Sequence, residues 1–180
     1  MRGVTLHKVT VACLVIAGNA VAGTIAGAAS VTDGDTIQIH GQDIRLHGIG
    51  APASGQRCYR PDGSPWRCGQ KAVLALDRRI GDGPVRCTWS EKDRYGRLVG
   101  TCHRQGTGLN AWLVANGWAM AYRGYSRDYV AEERAARQAN RGLWNGDFVP
   151  PWEWRRGKRL RTSSSSGGTS SSSTRDRDCS

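Results

Sequence analysis

Residues 33–53 read DGDTIQIHGQDIRLHGIGAPA, and the fold turns on this stretch. Ile37 and Ile39 alternate with Gln38 and His40, a turn falls at Gly41-Gln42, and Ile44 and Leu46 then alternate with Arg45 and His47. Alternation on both sides of a short turn predicts a β-hairpin with one apolar face. Side chains two apart on a strand point the same way, so Ile44 and Leu46 enter the core while Arg45 and His47 share the polar face. The stretch opens on two carboxylates, Asp33 and Asp35, and closes on Gly50, Ala51, Pro52 and Ala53. Carboxylates beside a guanidinium look like half of a phosphodiester site. The flank where further acids would hold a metal and activate water carries none.

Working outward, 51–65 reads as loop and 68–80 as a helix. Ala72, Leu74, Ala75 and Leu76 supply its apolar side, Arg78 and Arg79 its last turn and Gly81 its stop. Residues 85–89 and 98–102 have strand character and are joined by SEKDRYGR. Leu109, Trp112, Leu113 and Met120 fall at helical spacing, with Asn116 on the same stripe, which predicts a second helix over 108–122. Ser126 is placed to cap a third helix running to Asn140, supported by Glu133 and Arg137 and stopped by Gly142. Strands, helix, strands, helix, helix is an α+β order, built on a small and mostly antiparallel barrel.

At 180 residues the chain holds one domain of ordinary size with its tails. The expected division is a leader over 1–22, a domain over 23–146, a Trp/Arg-rich basic extension over 147–161 and a Ser-rich tail over 162–180. Arg2 and Lys8 flank the start of an apolar run over 9–17, and Ala20-Val21-Ala22 has the small-x-small cleavage pattern of a secretory signal. The run is too short to span a membrane. Cleavage near Ala22 would leave a secreted or periplasmic protein. The extension mixes Trp152 and Trp154 with cations, and reads either as a stacking, phosphate-binding arm or as a strap packing its aromatics on the domain. The tail is nearly all Ser, Thr and Gly around RDRD, too poor in apolar surface to fold.

Export permits disulfides. Cys13 lies in the leader and Cys179 in the tail. Cys58 and Cys68 flank the turn-rich YRPDGSPWR, and Cys87 and Cys102 lie across the second hairpin, so Cys58 is expected to pair with Cys68 and Cys87 with Cys102. No Cys/His spacing suits zinc. The formal charge is +11; two cations sit in the leader and the tail balances two Arg against two Asp, which leaves +9 on 23–161. Most of it is arginine, which meets phosphate through planar, bidentate contacts. An acidic polymer is the expected partner, nucleic acid before surface glycans or lipids.

Asp33-Gly34-Asp35-Thr36, then Arg45-Leu46 with Gly48-Ile49, Ala51-Pro52, and Asp93-Arg94-Tyr95-Gly96-Arg97 follow in an order that resembles the staphylococcal nuclease (thermonuclease) family. Trp144, closing the GLW after the third helix, fits as well. The resemblance covers 24–144. It implies a five-stranded OB-fold β-barrel with three α-helices, and a calcium-dependent endonuclease acting on DNA and RNA. By the same resemblance Arg45 and Arg97 are catalytic arginines gripping the scissile phosphate. Asp35 matches the first calcium-binding aspartate, and Arg94, Tyr95 and Tyr122 lie against nucleic acid.

The departures matter as much. The family's Asp-x-Pro-Glu is Gly50-Ala51-Pro52-Ala53 here, so a calcium ligand and the residue that orients or deprotonates water are both gone. Losing a general base costs roughly a hundredfold to ten-thousandfold. Calcium takes about six to eight oxygens, so Asp35 is left with an incomplete site and calcium is expected weakly bound or absent. His47, on the face of Arg45, and Asp62, in the Cys58 to Cys68 loop, are the candidates to compensate. The expected function is an exported thermonuclease-like protein directed at nucleic acid, with hydrolysis weak or lost. The alternatives are an active extracellular endonuclease with an altered mechanism, and an envelope or interaction protein that does not use nucleic acid.

Overall fold

The computed structural model describes residues 22–160. The expected leader, apart from Ala22, and the expected tail with Cys179 lie outside the described residues. The chain enters on β1 (Gly23–Gly27) and β2 (Ala29–Asp33), one extended run bent at Ala28. The hairpin of the opening stretch follows as β3 (Thr36–Ile39) and β4 (Gln42–Leu46), with Ile37 opposite Ile44 and Thr36 opposite Arg45. Its turn falls one residue earlier than the sequence suggests, at His40-Gly41. Both residues have positive φ, 50° and 76°, the primed geometry whose twist matches paired strands. Ile37, Ile39, Ile44 and Leu46 are buried as the alternation requires.

After β5 (Ile49–Gly50) comes an excursion that is more ordered than a loop. Within it β6 (Cys58–Tyr59) and β7 (Pro65–Trp66) pair antiparallel, and a Cys58–Cys68 disulfide closes it onto α1 (Cys68–Ile80). Next, β8 (Val85–Lys92) and β9 (Leu98–Arg104) run beyond 85–89 and 98–102, because the ladder continues almost to the tight turn at 93–97. Cys87 stands directly opposite Cys102 and is bonded to it. The short β10 (Thr107–Gly108) pairs with β9. The sheet runs β1-β8-β9-β4-β3-β2, and since β1 passes into β2 through Ala28 alone, it closes into a five-stranded barrel. This is the α+β, OB-type architecture.

Two helices are shorter than their sequence patterns. Helix α2 (Leu109–Ala115) stops well before 122. Gly117 has φ 71°, and a Cβ there would lie 2.0 Å from the Arg141 carbonyl oxygen, so the chain turns where only glycine fits. Met120 therefore belongs to β11 (Met120–Ala121), paired with β5. Helix α3 (Val130–Gln138) starts later than Ser126, whose hydroxyl accepts the Asp128 amide at 3.0 Å in a local turn instead of capping a helix. A 3-10 turn (Gly142–Trp144) and α4 (Pro151–Arg155) complete the described chain.

A second apolar cluster decides how the basic extension sits. Cys58, Cys68, Met120 and Leu143 form its buried centre, with Trp66, Trp144, Phe148 and Trp152 packed on them. Tyr59 and Asp147 exchange backbone hydrogen bonds at 2.8 and 2.9 Å, and the buried Gln56 Nε2 donates to the Val149 carbonyl at 2.7 Å. The extension is thus strapped to the domain, and α4 is delivered to the β5 end of the barrel. Among the described residues no helix is long and apolar enough to cross a membrane.

Candidate functional site

Asp35 lies at the centre of the constellation, fully buried where β3 begins. Its Oδ1 accepts from Arg45 Nη1 at 2.5 Å, and its Oδ2 accepts the Ala51 amide at 2.8 Å. Register explains the first contact, since Arg45 on β4 stands opposite Thr36, the next residue after Asp35. Arg45 Nη2 also donates to the Ile49 carbonyl at 3.3 Å, so the arginine ties β3, β4 and β5 together. Next door, the Asp33 carboxyl is raised above its ordinary value by burial and by the Asp35 charge, against the Gly34 amide and the charges of Arg155 and Arg45.

A residue from the strap enters this cluster. Arg155 Nη2 lies 3.6 Å from Asp35 Oδ2 and donates to the Ala51 carbonyl at 3.1 Å. Trp152, one turn earlier on α4, covers Gly50: a Cβ built on Gly50 would meet its indole at 3.5 Å. Trp152 also stacks on Tyr122, with ring centroids 5.1 Å apart and planes 18° apart. Spacing could not place Trp152 or Arg155 here. The available signal was the density of Trp and Arg in 147–161.

The turn at 93–97 supplies the third part. Asp93 Oδ1 accepts the amides of Tyr95 and Arg97, and its Oδ2 accepts from the Arg97 guanidinium at 2.8 Å. Burial pushes the Asp93 carboxyl up, but the hydrogen bonds from the Arg97 side chain and from the Tyr95 and Arg97 amides outweigh it and hold it below its ordinary value. Arg94 and Arg97 both lie over the exposed Tyr95 ring, at 4.8 and 5.4 Å from its centroid.

Two adjoining cavities result. The larger, about 320 Å³, is lined by Arg45, Arg94, Arg155, Arg156, Tyr122 and Trp152 with Gly50. The smaller, about 120 Å³, shares Arg45 and Tyr122 and adds His47, Asp93 and Tyr125. Arg45, Arg94 and Tyr122 are thus brought together, while Arg97 stays on the Asp93 turn and lines neither cavity. His47 lies 3.6 Å from Asp128 and edge-on to Tyr125. Asp62 is held by the Ser64 amide in an exposed turn of the excursion and lines neither cavity.

A family model described as staphylococcal nuclease homologue matches residues 43–146, more than half of the chain. The chain belongs to the staphylococcal nuclease homologue family. Among its relatives, a succinoglycan biosynthesis protein ExoI of Rhizobium meliloti (strain 1021) is 36% identical over 148 residues, 78% of this chain and 75% of the relative. An uncharacterized endonuclease of Escherichia coli is 35% identical over 136 residues, 71% of this chain and 82% of the relative. A micrococcal nuclease of Shigella flexneri is 34% identical over 150 residues, covering 73% and 80% respectively. The matched segment holds Arg45, Gly50, Arg94, Arg97 and Tyr122, whereas Asp35 precedes it and Trp152 and Arg155 follow it.

The staphylococcal nuclease family implies calcium, and the donor set here does not fit it. Calcium calls for about six to eight oxygens, several of them carboxylate. Both Asp35 oxygens already accept protein donors, and a guanidinium stands 3.6 Å from one of them. Among the described residues no group of three or more His, Cys, Asp or Glu is placed to hold a metal ion.

Proposed function

We propose that this chain is an exported, nucleic-acid-directed member of the staphylococcal nuclease family in which calcium-dependent hydrolysis is weak or lost. The observation that carries the reading is the state of the positions where the family has its further acids. Gly50 lies under Trp152, Ala53 offers no base, and Arg155 presents a cation to Asp35. In the proposed roles Arg45 holds the phosphodiester at the cavity and Arg97 meets it from the adjacent turn, where Asp93 holds its guanidinium; Arg94, Tyr95 and Tyr122 contact the neighbouring nucleotides, and Asp35 orients Arg45. Arginines flanking a phosphate bind it through paired N–H donors whether or not a bond is cleaved. Cleavage further needs a water made nucleophilic at the right place, and no acid remains at 50–53 to do this.

Activity in a DNA-loaded gel, run with and without calcium beside Gly50→Asp/Ala53→Glu, tests the reading. The natural chain is expected to leave little or no clearing. Clearing equal to that of a true family nuclease would overturn the loss of hydrolysis and favour an altered mechanism, with His47 as the base to substitute next.

One observation supports a second reading. The Rhizobium meliloti relative is named for succinoglycan biosynthesis, which keeps an envelope role open in which the same arginines meet a surface polymer. Single-stranded DNA binding that weakens steeply with salt, and further on Arg45→Ala, counts against it.

A further inference from the structure

We infer that Arg155 takes the place of the metal ion, so that the arginine-lined cavity binds the phosphate of a single nucleic-acid strand without any divalent cation. The inference rests on the nucleic-acid reading above and adds to it the site, its strap-borne residues and its indifference to calcium.

Four guanidiniums, of Arg45, Arg94, Arg155 and Arg156, line one cavity of about 320 Å³, at the lower end of ligand-pocket sizes. Asp35 offsets part of that charge from beneath and is itself fully engaged. Cations gathered around one cavity repel each other until an anion enters, and a phosphodiester offers the paired oxygens that the guanidinium fork matches. Tyr122 on the wall is stacked with Trp152 and Tyr125, and the exposed Tyr95 on the adjacent turn supplies the ring surface that single-strand sites use beside the phosphate.

Arg155 is held where it is needed. Its guanidinium donates to the Ala51 carbonyl at 3.1 Å, and its helix is fixed by Trp152 on Gly50 and by the Gln56 bond to Val149. In a site that depends on a metal, the ion neutralises the acids and meets the phosphate. Here a side chain already carries that positive charge beside Asp35, so nothing is gained by adding calcium.

The test is fluorescence anisotropy of a labelled thymidine oligonucleotide on the full chain, in EDTA and in millimolar calcium. Natural protein is expected to bind equally in both. Arg155→Ala is expected to bind about tenfold more weakly in EDTA, the loss of one charge-assisted hydrogen-bonded contact, with a salt slope shallower by about one. Arg155→Gln keeps polar bulk and an N–H donor on a shorter side chain while removing the charge, so it separates a phosphate contact from a packing defect; it is expected to match Arg155→Ala. Binding that appears only with calcium would overturn the inference and leave the nucleic-acid reading standing. No binding in either buffer would overturn both. Natural affinity in Arg155→Gln would remove Arg155 from the site.

Discussion

Replacing Asp35 by alanine in metal-free buffer separates a structural carboxylate from a spare metal ligand, because the two predict opposite signs. A carboxylate kept only for a metal sits unneutralised without it, and its removal leaves stability unchanged or raises it. Asp35 is fully buried and accepts from Arg45 and from the Ala51 amide. Its loss orphans the amide at about 1–3 kcal/mol. Breaking a buried ion pair adds about 3–5 kcal/mol in full. The Arg45 side chain is 19% exposed, so it regains water and only part of that second figure applies. The expected loss is about 4 kcal/mol, a large share of the roughly 5–15 kcal/mol that holds a domain folded. With a urea slope near ~2 kcal/mol per molar, the midpoint falls by about 2 M. Urea unfolding in EDTA, followed by tryptophan fluorescence, measures it. Asp35→Asn, which keeps an acceptor for the amide, falls between. Natural or raised stability in Asp35→Ala would refute the reasoning.

The other predictions concern the strap and the 93–97 turn. Replacing Cys58 and Cys68 together by alanine opens a bridge with a sequence separation of 10, costs about 2.5–3 kcal/mol in the chain-entropy model, and should speed tryptic cleavage at Arg155 and Arg156; an unchanged cleavage rate would detach the strap from that bridge. Trp152→Ala uncovers Gly50 and one face of Tyr122, and since the indole is only partly buried it should cost about half of a core Trp→Ala, roughly 2 kcal/mol, read by thermal unfolding. Because the folded Asp93 carboxyl is held low, its contribution is present above the unfolded value and is lost as pH falls through the folded one. The stability gap between natural protein and Asp93→Asn should therefore close on acidification, and a gap independent of pH would exclude the Arg97 pairing as its source.

The barrel was legible because its signals are local. Alternation at Ile37, Ile39, Ile44 and Leu46 fixes which face is buried, the 68–80 helix has its own stop at Gly81, and both disulfides follow from turn and hairpin position. The α2 boundary was not, because Met120 keeps a helical spacing with Leu113 while lying on a different element; both are buried, and burial alone does not tell a helix from a short strand. The late start of α3 has a similar cause, since Ser126 serves a turn as readily as a cap. Half of the candidate site was legible as motif residues, Asp35, Arg45 and the 93–97 turn. The other half depends on tertiary packing: nothing local to 147–161 says that Trp152 will settle on Gly50 or that Arg155 will reach Asp35, contacts that span about a hundred positions of sequence.

Calorimetric titration of calcium into the full chain tests the central claim most directly. With Asp35 engaged by Arg45 and the Ala51 amide, and with Arg155 beside it, the expected result is no saturable binding tighter than about millimolar, the weak end of protein calcium sites. Saturable micromolar binding by the natural sequence, lost on Asp35→Asn, would contradict it.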